Sequence, residues 1–130
     1  VLPEPLASNA QLKGLEKRVY GKPDDYTPNG IIFTDEFIKN NPNTVKGFHK
    51  AYNRAVEDII NNPEEAKDIL VSKLELNSKV KDLMVLPTYH KTRVPDESYL
   101  KEIEDWTEKL QGNELNLEYK DVVTKDFVSK

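Results

Sequence analysis

The sequence contains no cysteine, one methionine and one tryptophan among its 130 residues. The absence of cysteine excludes a disulfide framework, a thiolate nucleophile and a zinc-thiolate site. No apolar run approaches the roughly 20 residues that a bilayer-spanning helix needs, so we expect no direct membrane insertion by this segment. The composition therefore leaves a cysteine-free protein that lies outside the bilayer.

The charge balance argues against a nucleic-acid partner. Nineteen basic and 23 acidic residues give a net charge of −4, and the two signs are interleaved along the chain. A general nucleic-acid surface requires clustered positive charge. With 37% hydrophobic and 32% charged residues, a chain of this length suits one domain with a modest core.

Catalytic and cofactor signatures are also missing. We find no His-Glu-x-x-His pair, no Gly-x-Ser-x-Gly elbow, no phosphate-cradling loop and no dinucleotide fingerprint. His49 falls beside the apolar stripe of a predicted helix and His90 falls in a loop, and we interpret both as ordinary histidines without metal-ligand spacing. We expect no catalytic residue, no metal, no cofactor and no enzymatic activity.

The most regular stretch of the sequence runs from Asn41 to Leu76. Its apolar residues recur at spacings of three and four, which predicts one buried helix stripe. That predicted stripe consists of Val45, Phe48, Tyr52, Ala55 and Ile59. Asn-Pro pairs at 41–42 and 62–63 resemble helix starts, in which asparagine caps a first-turn N–H and proline begins the helix. We predict helices at Pro42–Asn61 and Pro63–Lys73, separated by a break.

Further helices are predicted on both sides of this pair. Short helices are expected at Leu6–Leu12 and Asp35–Asn40, and a capped segment after Asn77 or Ser78 is expected to bury Val80, Leu83 and Met84. The last strong helix is predicted at Pro95–Gln111, and Gly112 ends it. Its expected core stripe consists of Leu100, Ile103, Trp106 and Leu110, with Trp106 fully in the core. In the second helix of the central pair, the residues expected to point inward are Ala66, Ile69 and Leu70.

Strands are scarce in this sequence. Gly30–Thr34 is the best candidate because it is short, apolar and rich in β-branched residues. Val1–Pro3 is the other, and Leu15–Tyr20 is either a strand or an extended linker. Since an independently stable sheet needs about three or more strands, we predict a helix-rich α/β fold that forms part of a larger lobe.

Glu4 lies between two prolines after a short apolar run. It is either a side chain projected from a strand end into a ligand cleft or a turn carboxylate in solvent. Tyr26, Asn29 and Tyr89 lie in proline-bordered loops, where an aromatic ring either packs under the loop or stacks on a ligand. These residues alone leave both alternatives open.

Two groups of motifs resemble a known family. The first is Leu2-Pro3-Glu4-Pro5-Leu6-Ala7 followed by Gly30-Ile31-Ile32-Phe33-Thr34. The second consists of Phe37-Ile38, Asn41-Pro42, Val45-Lys46, Phe48, Ala51, Ala55 and Asn62-Pro63-Glu64-Glu65-Ala66. Together they resemble the C-terminal portion of bacterial ABC-transporter substrate-binding proteins, most like the nitrate/sulfonate/thiamine-pyrimidine-precursor group. The resemblance extends from Val1 to about Gly112 and consists mainly of helix starts and core positions.

The resemblance implies a partial lobe of a two-lobed, type II periplasmic-binding-protein fold. Residues 1–130 would then be a single C-terminal fragment whose N-terminal half is not present, and self-association could cover its exposed strand edge. The implied function is capture of a small polar molecule, without catalysis, and delivery to ABC permease subunits. The implied location is extracytoplasmic, either periplasmic or on a cell-surface lipoprotein. The alternative is a helical domain for protein–protein interaction.

The resemblance also indicates which residues border the cleft, namely Glu4, Tyr26 and Asn29. Glu4 could accept bonds from an amine, amide or hydroxyl, Asn29 could donate and accept, and Tyr26 could cover a planar face. A carboxylate at this place disfavours a purely anionic ligand unless a basic group intervenes. We therefore expect a small polar ligand rather than a purely anionic one such as nitrate or a sulfonate.

Overall fold

The computed structural model describes residues 2–18 and 29–128, and these contain seven helices and no strand. The helices are α1 (Leu6–Leu12), α2 (Asp35–Asn40), α3 (Pro42–Asn61), α4 (Pro63–Lys73), α5 (Val80–Leu83), α6 (Glu97–Gln111) and α7 (Tyr119–Val122). The predicted bounds of α1 to α4 are confirmed. The chain divides into two compact units, one formed by Val1–Phe33 and Asn53–Lys91, the other by Thr34–Tyr52 and Thr92–Lys130.

The predicted break between α3 and α4 is present at Asn62. Pro63 begins α4 because a proline at the first helical position needs no intrahelical N–H partner. The predicted capping role of the asparagines is wrong in detail. The side chain of Asn62 makes no cap hydrogen bond, and Asn41 donates through Nδ2 to the Phe37 carbonyl, 3.3 Å away, at the end of α2. The starts of α3 and α4 are therefore set by their first residue, proline, rather than by a hydrogen bond from the preceding asparagine side chain.

The buried face of α3 is rotated from the predicted one. Val45 and Val56 are each 1% exposed, whereas Phe48 is 42% exposed and Ala55 is exposed. The other two predicted residues, Tyr52 and Ile59, are half-buried. Val45 and Val56 lie eleven residues apart, which is about three turns and therefore one face. The predicted stripe advanced by 3.5 residues per turn and drifted away from this line. The correct face includes the half-buried polar residue His49, which an apolar pattern does not select.

The first unit contains α1, α4, α5 and the part of α3 from Asn53. Helix α5 packs against both α1 and α4. Of the residues predicted to point inward, Val80 and the C-cap residue Met84 are 0% and 4% exposed, and Leu83 is half-buried. Asn77 caps the turn before α5 by accepting from the Lys79 N–H at 3.0 Å. Ile69 of α4 was expected inward, but it is 54% exposed. The core of this unit is therefore centred on the short helix α5.

The second unit contains α2, the first part of α3, α6 and α7. Thr34 caps α2 by accepting from the Phe37 N–H at 3.2 Å. Helix α6 begins at Glu97, two residues later than predicted, and ends as expected at Gly112, whose φ of 74° suits a glycine. The tail after α6 is bound through two carboxylates of that helix. Glu108 accepts from the Leu115 N–H at 2.8 Å and Glu104 from the Leu117 N–H at 3.0 Å.

The expected core stripe of α6 is wrong for three of its four residues, whereas Leu100 is half-buried. Ile103, Trp106 and Leu110 are 42%, 64% and 69% exposed. The side of α6 that contacts its own tail is occupied by Glu104 and Glu108, because carboxylates can accept the N–H groups of an irregular segment. The apolar stripe lies on another face of the helix and stays accessible.

The predicted strands do not form within residues 2–18 and 29–128. Gly30–Thr34 has no regular secondary structure, and Ile32 is 90% exposed. Leu2, Pro3 and residues 15–18 are likewise irregular, while Val1 and residues 19–20 lie outside the described residues. A β-strand exists only when a neighbour shares its hydrogen bonds. The helix-rich part of the fold prediction is therefore confirmed, whereas the sheet is not observed.

Candidate functional site

Glu4 lies in the turn immediately before α1, where its cis peptide bond to Pro5 is found. The carboxylate Oε2 accepts from the Ser8 N–H at 3.3 Å. Ser8 is in the first turn of α1, whose N–H groups have no partner within the helix. The side chain of Glu4 thus satisfies one of these groups and places negative charge at the helix N-terminus, where the helix dipole favours it.

Lys17 lies in the irregular segment after α1, and its ammonium group contacts three acceptors. It forms an ion pair with Glu4 Oε1 and donates to Ser8 Oγ at 3.1 Å and to the Leu83 carbonyl at 3.2 Å. An ammonium group has three N–H donors. All three are therefore used within the protein, and the Lys17 side chain is only 14% exposed.

Ser8 connects α1 to the end of α5. Its side chain is fully buried, and its hydroxyl donates to the Leu83 carbonyl at 2.9 Å. Leu83 is the last residue of α5, so its carbonyl belongs to the group without an intrahelical partner. The hydroxyl and the Lys17 ammonium both satisfy this carbonyl. We call Glu4, Ser8, Lys17 and the Leu83 carbonyl the Glu4 cluster.

The Glu4 cluster keeps its carboxylate ionised. Partial burial raises the pKa of Glu4, but the hydrogen bonds from Lys17 and Ser8 outweigh this effect, and the net pKa is lowered from the ordinary glutamate value. The ion pair is also intermediate in exposure, with Glu4 24% exposed. Glu4 is therefore an anion at neutral pH that solvent still reaches.

The Ser8–Lys17 contact superficially resembles a nucleophile and its base, but two features oppose this role. Ser8 is buried and cannot approach a substrate, and its hydroxyl proton is directed to Leu83 rather than to Lys17. Lys17 donates to Glu4, to Ser8 and to the Leu83 carbonyl, whereas a general base needs a free lone pair. The arrangement can hold a carboxylate in place and offer its remaining acceptor positions to a ligand.

The other two residues predicted to bind the ligand are Tyr26 and Asn29. Tyr26 lies outside the described residues. Asn29 is exposed and begins the irregular segment that leads to Ile31. Among the described residues, the bonds of Glu4 go to Ser8 and Lys17 and not to Asn29. The predicted trio of Glu4, Tyr26 and Asn29 therefore stays a prediction.

Sequence reasoning missed Lys17 and Ser8. Lys17 is thirteen residues from Glu4 in sequence, and many lysines in this chain have acidic neighbours, so spacing alone did not distinguish it. The only available signal was that a glutamate held before a helix needs a counter-charge if it is buried.

The two histidines lie in different surroundings. His49 is half-buried and its ring meets that of Phe48 edge-on at 5.9 Å, and His90 is exposed. Over residues 2–18 and 29–128, no three His, Asp or Glu side chains are grouped as metal ligands. In the same parts of the chain, no helix is both long and apolar enough to cross a membrane.

Comparison with known families bears on the two interpretations of the sequence. Residues 7–66 match the family described as NMT1/THI5 like. This family consists of ABC-transporter substrate-binding proteins, which are generally binding proteins rather than enzymes. The matched segment covers slightly less than half of the chain and runs from α1 into α4. The resemblance inferred from the sequence is confirmed over this segment.

The NMT1/THI5 like match includes Ser8 and Lys17 of the Glu4 cluster, but Glu4 lies just before it. The family suggests a solute-binding role in transport and a periplasmic-binding fold, and its members are typically extracytoplasmic. No curated protein matches this chain significantly. No solved structure does so either.

Proposed function

We propose that this chain is part of the solute-binding component of an ABC importer. It would capture a small polar molecule outside the cytoplasm and deliver it to the permease without altering it. The observation that carries this proposal is the NMT1/THI5 like match over residues 7–66. The match favours transport over the alternative of a helical interaction domain.

We place the ligand near Glu4, Asn29 and Tyr26. A carboxylate has about four acceptor positions, and the Ser8 N–H and Lys17 occupy only part of them. Because Lys17 directs its donors to atoms of the protein, the Glu4 cluster offers a ligand acceptor atoms rather than donors. This supports a ligand with amine, amide or hydroxyl groups and disfavours an inorganic anion.

We further propose that residues 1–130 form the C-terminal fragment of a two-lobed receptor. The second lobe and the remaining strands would then come from the N-terminal half. The absence of a sheet among the described residues is consistent with this proposal, since an α/β lobe needs paired strands to complete it. In this arrangement Glu4 would border the cleft between the lobes.

The test is a thermal-shift and calorimetric screen of the complete protein against pyrimidine precursors, amines, nucleoside-like compounds and sulfonates. We expect one class of donor-bearing ligand to raise the melting temperature. Glu4→Gln should then weaken binding of the best ligand by about tenfold or more, which corresponds to the loss of one charge-assisted hydrogen bond. Glu16→Gln is the matched control, because Glu16 lies nearby in sequence and its side chain is 73% exposed.

Two results would oppose this proposal. Unchanged affinity in Glu4→Gln would remove Glu4 from the site while leaving a receptor. Failure of every compound class to bind the complete protein would remove the receptor function itself.

A further inference from the structure

The apolar stripe of α6 consists of Ile103, Trp106 and Leu110, which are spaced by three and four residues on one face. Their side chains are 42%, 64% and 69% exposed. Single exposed apolar residues are ordinary on protein surfaces, but a continuous line of three large ones indicates an interaction surface. Trp106 is its centre, and tryptophan is the residue type most enriched at the energetic centres of interfaces.

The tail of this chain occupies a different side of α6. Leu115 and Leu117 are held by Glu108 and Glu104. With about 100° per residue, those two glutamates lie roughly 150° around the helix from the stripe. The tail and the stripe therefore do not compete, and a partner can approach the stripe while the tail stays bound.

The charges along one edge of the stripe decide what kind of partner fits. Glu102 and Lys109 lie seven residues apart on this edge, so they carry opposite charges about two turns from each other. The neighbouring charge of Lys101 is already neutralised, at 2.9 Å by Glu104 and 3.1 Å by Asp105. Over the part of the chain that the structure describes, neither Glu102 nor Lys109 has an ion-pair partner.

We propose that the α6 stripe binds a second copy of this chain, with the two α6 helices antiparallel. In an antiparallel pair the same edge of each helix meets its counterpart. Glu102 of one copy then lies level with Lys109 of the other, and the symmetry axis passes close to Trp106. Two complementary ion pairs thus form from one sequence. A parallel pair would instead place this edge against the opposite edge of the partner helix, and the two ion pairs would not form.

The apolar residues interleave in the same register. With Glu102 and Lys109 at one level, Ile103 of one copy falls between Trp106 and Leu110 of the other along the axis, since each residue rises about 1.5 Å. The two Trp106 side chains are adjacent at the centre. Such alternation is the knobs-into-holes arrangement that stabilises paired helices. Charge and apolar pattern therefore indicate the same register.

The predicted dimer is weak. One pair of 15-residue helices buries less than the roughly 1,200 Å² of a standard stable interface. Dissociation constants in the micromolar to millimolar range follow for interfaces of this class. Sedimentation equilibrium of the chain over this concentration range should show the mass rising from 15.0 kDa toward twice that value.

Charge reversal tests the antiparallel register. Glu102→Lys and Lys109→Glu should each weaken the homodimer about tenfold, because each replaces two attractive contacts by two repulsive ones. An equimolar mixture of the two variants should restore association as a heterodimer. The double variant Glu102→Lys/Lys109→Glu should restore the homodimer.

Trp106→Ala should abolish association, whereas the control Leu74→Ala, which truncates another half-exposed apolar side chain, should not affect it. Circular dichroism of each variant verifies that the helices persist. A chain that stays monomeric at millimolar concentration would overturn the proposal. The proposal would also be overturned if neither the equimolar mixture nor the double variant restored association. Association that Trp106→Ala leaves unchanged would overturn it as well.

Discussion

Replacing Lys17 with methionine removes the ammonium group of the Glu4 cluster and keeps most of the side-chain length. Ser8 and Leu83 stay hydrogen-bonded to each other at 2.9 Å, so the loss falls mainly on the Glu4 carboxylate. Breaking a fully buried ion pair costs about 3–5 kcal/mol and breaking an exposed one about 0–1 kcal/mol. With Lys17 and Glu4 exposed by 14% and 24%, the pair lies between these limits. We expect Lys17→Met to lower the free energy of unfolding by about 2 kcal/mol.

The assay is urea unfolding at pH 7 followed by circular dichroism, applied to a double-mutant cycle with Glu4→Gln. In Lys17→Met the carboxylate is left without its counter-charge, whereas in the double variant no charge remains. The double variant should therefore lose about 1 kcal/mol less than the sum of the single variants. Lys120→Met is the control, because its pair with Glu118 is exposed by 75% and 67%. The reasoning fails if Lys17→Met is as stable as the control or if the cycle is additive.

Three further changes probe other parts of the structure. Val80→Ala should cost about 2 kcal/mol of unfolding free energy in the same urea assay, since Val80 is fully buried at the centre of the first unit; a loss below about 0.5 kcal/mol would contradict that position. Thr34→Ala should cost about 1 kcal/mol by removing the cap of α2, and Thr34→Ser should recover most of it. The lowered pKa of Glu4 means that its stabilisation is present above the ordinary glutamate pKa and is lost as the pH falls through the folded value. The stability difference between the native chain and Glu4→Gln should therefore shrink as the pH falls below the ordinary glutamate pKa, and a difference that grows on acidification would contradict the shift.

Local backbone rules predicted most of the helix boundaries. Proline at the start of α3 and α4, threonine before α2 and glycine after α6 act within one turn, so the sequence alone contains the required information. Helix α6 begins two residues later than predicted. Its N-cap residue is Asp96, so Pro95 lies outside the helix. This boundary error is small because the start of a helix depends on residues within one turn of it.

Tertiary features were predicted less well. The stripe on α6 was expected to be buried within the chain because an amphipathic pattern indicates a face that packs against another surface. The pattern does not indicate whether that surface belongs to the same chain or to another molecule. In the same way, Gly30–Thr34 has the residue types of a buried strand, and strand formation depends on a neighbour elsewhere. The predicted α3 face passed over the buried apolar residue Val56 and the half-buried polar residue His49, because its spacing of 3.5 residues per turn differs from the 3.6 of a helix.

One residue of the Glu4 cluster was singled out from the sequence, and its contact with a ligand stays a prediction. Glu4 was identified from its setting between prolines and lies in a charged cluster beside α1. Its partners could not be deduced, because Lys17 and the end of α5 approach it only in the folded chain. A contact between residues 66 apart in sequence depends on topology, which no local pattern specifies.

Isothermal titration of the complete protein with the best compound from the screen, followed by chemical recovery of that compound, tests the central claim most directly. The claim is that this chain belongs to a receptor that captures a small polar molecule and does not transform it. We predict saturable binding at one site per protein, weakened in Glu4→Gln and not in Glu16→Gln, and complete recovery of the unaltered compound. Recovery of a chemically altered product, or absence of saturable binding by every class of compound, would contradict the claim.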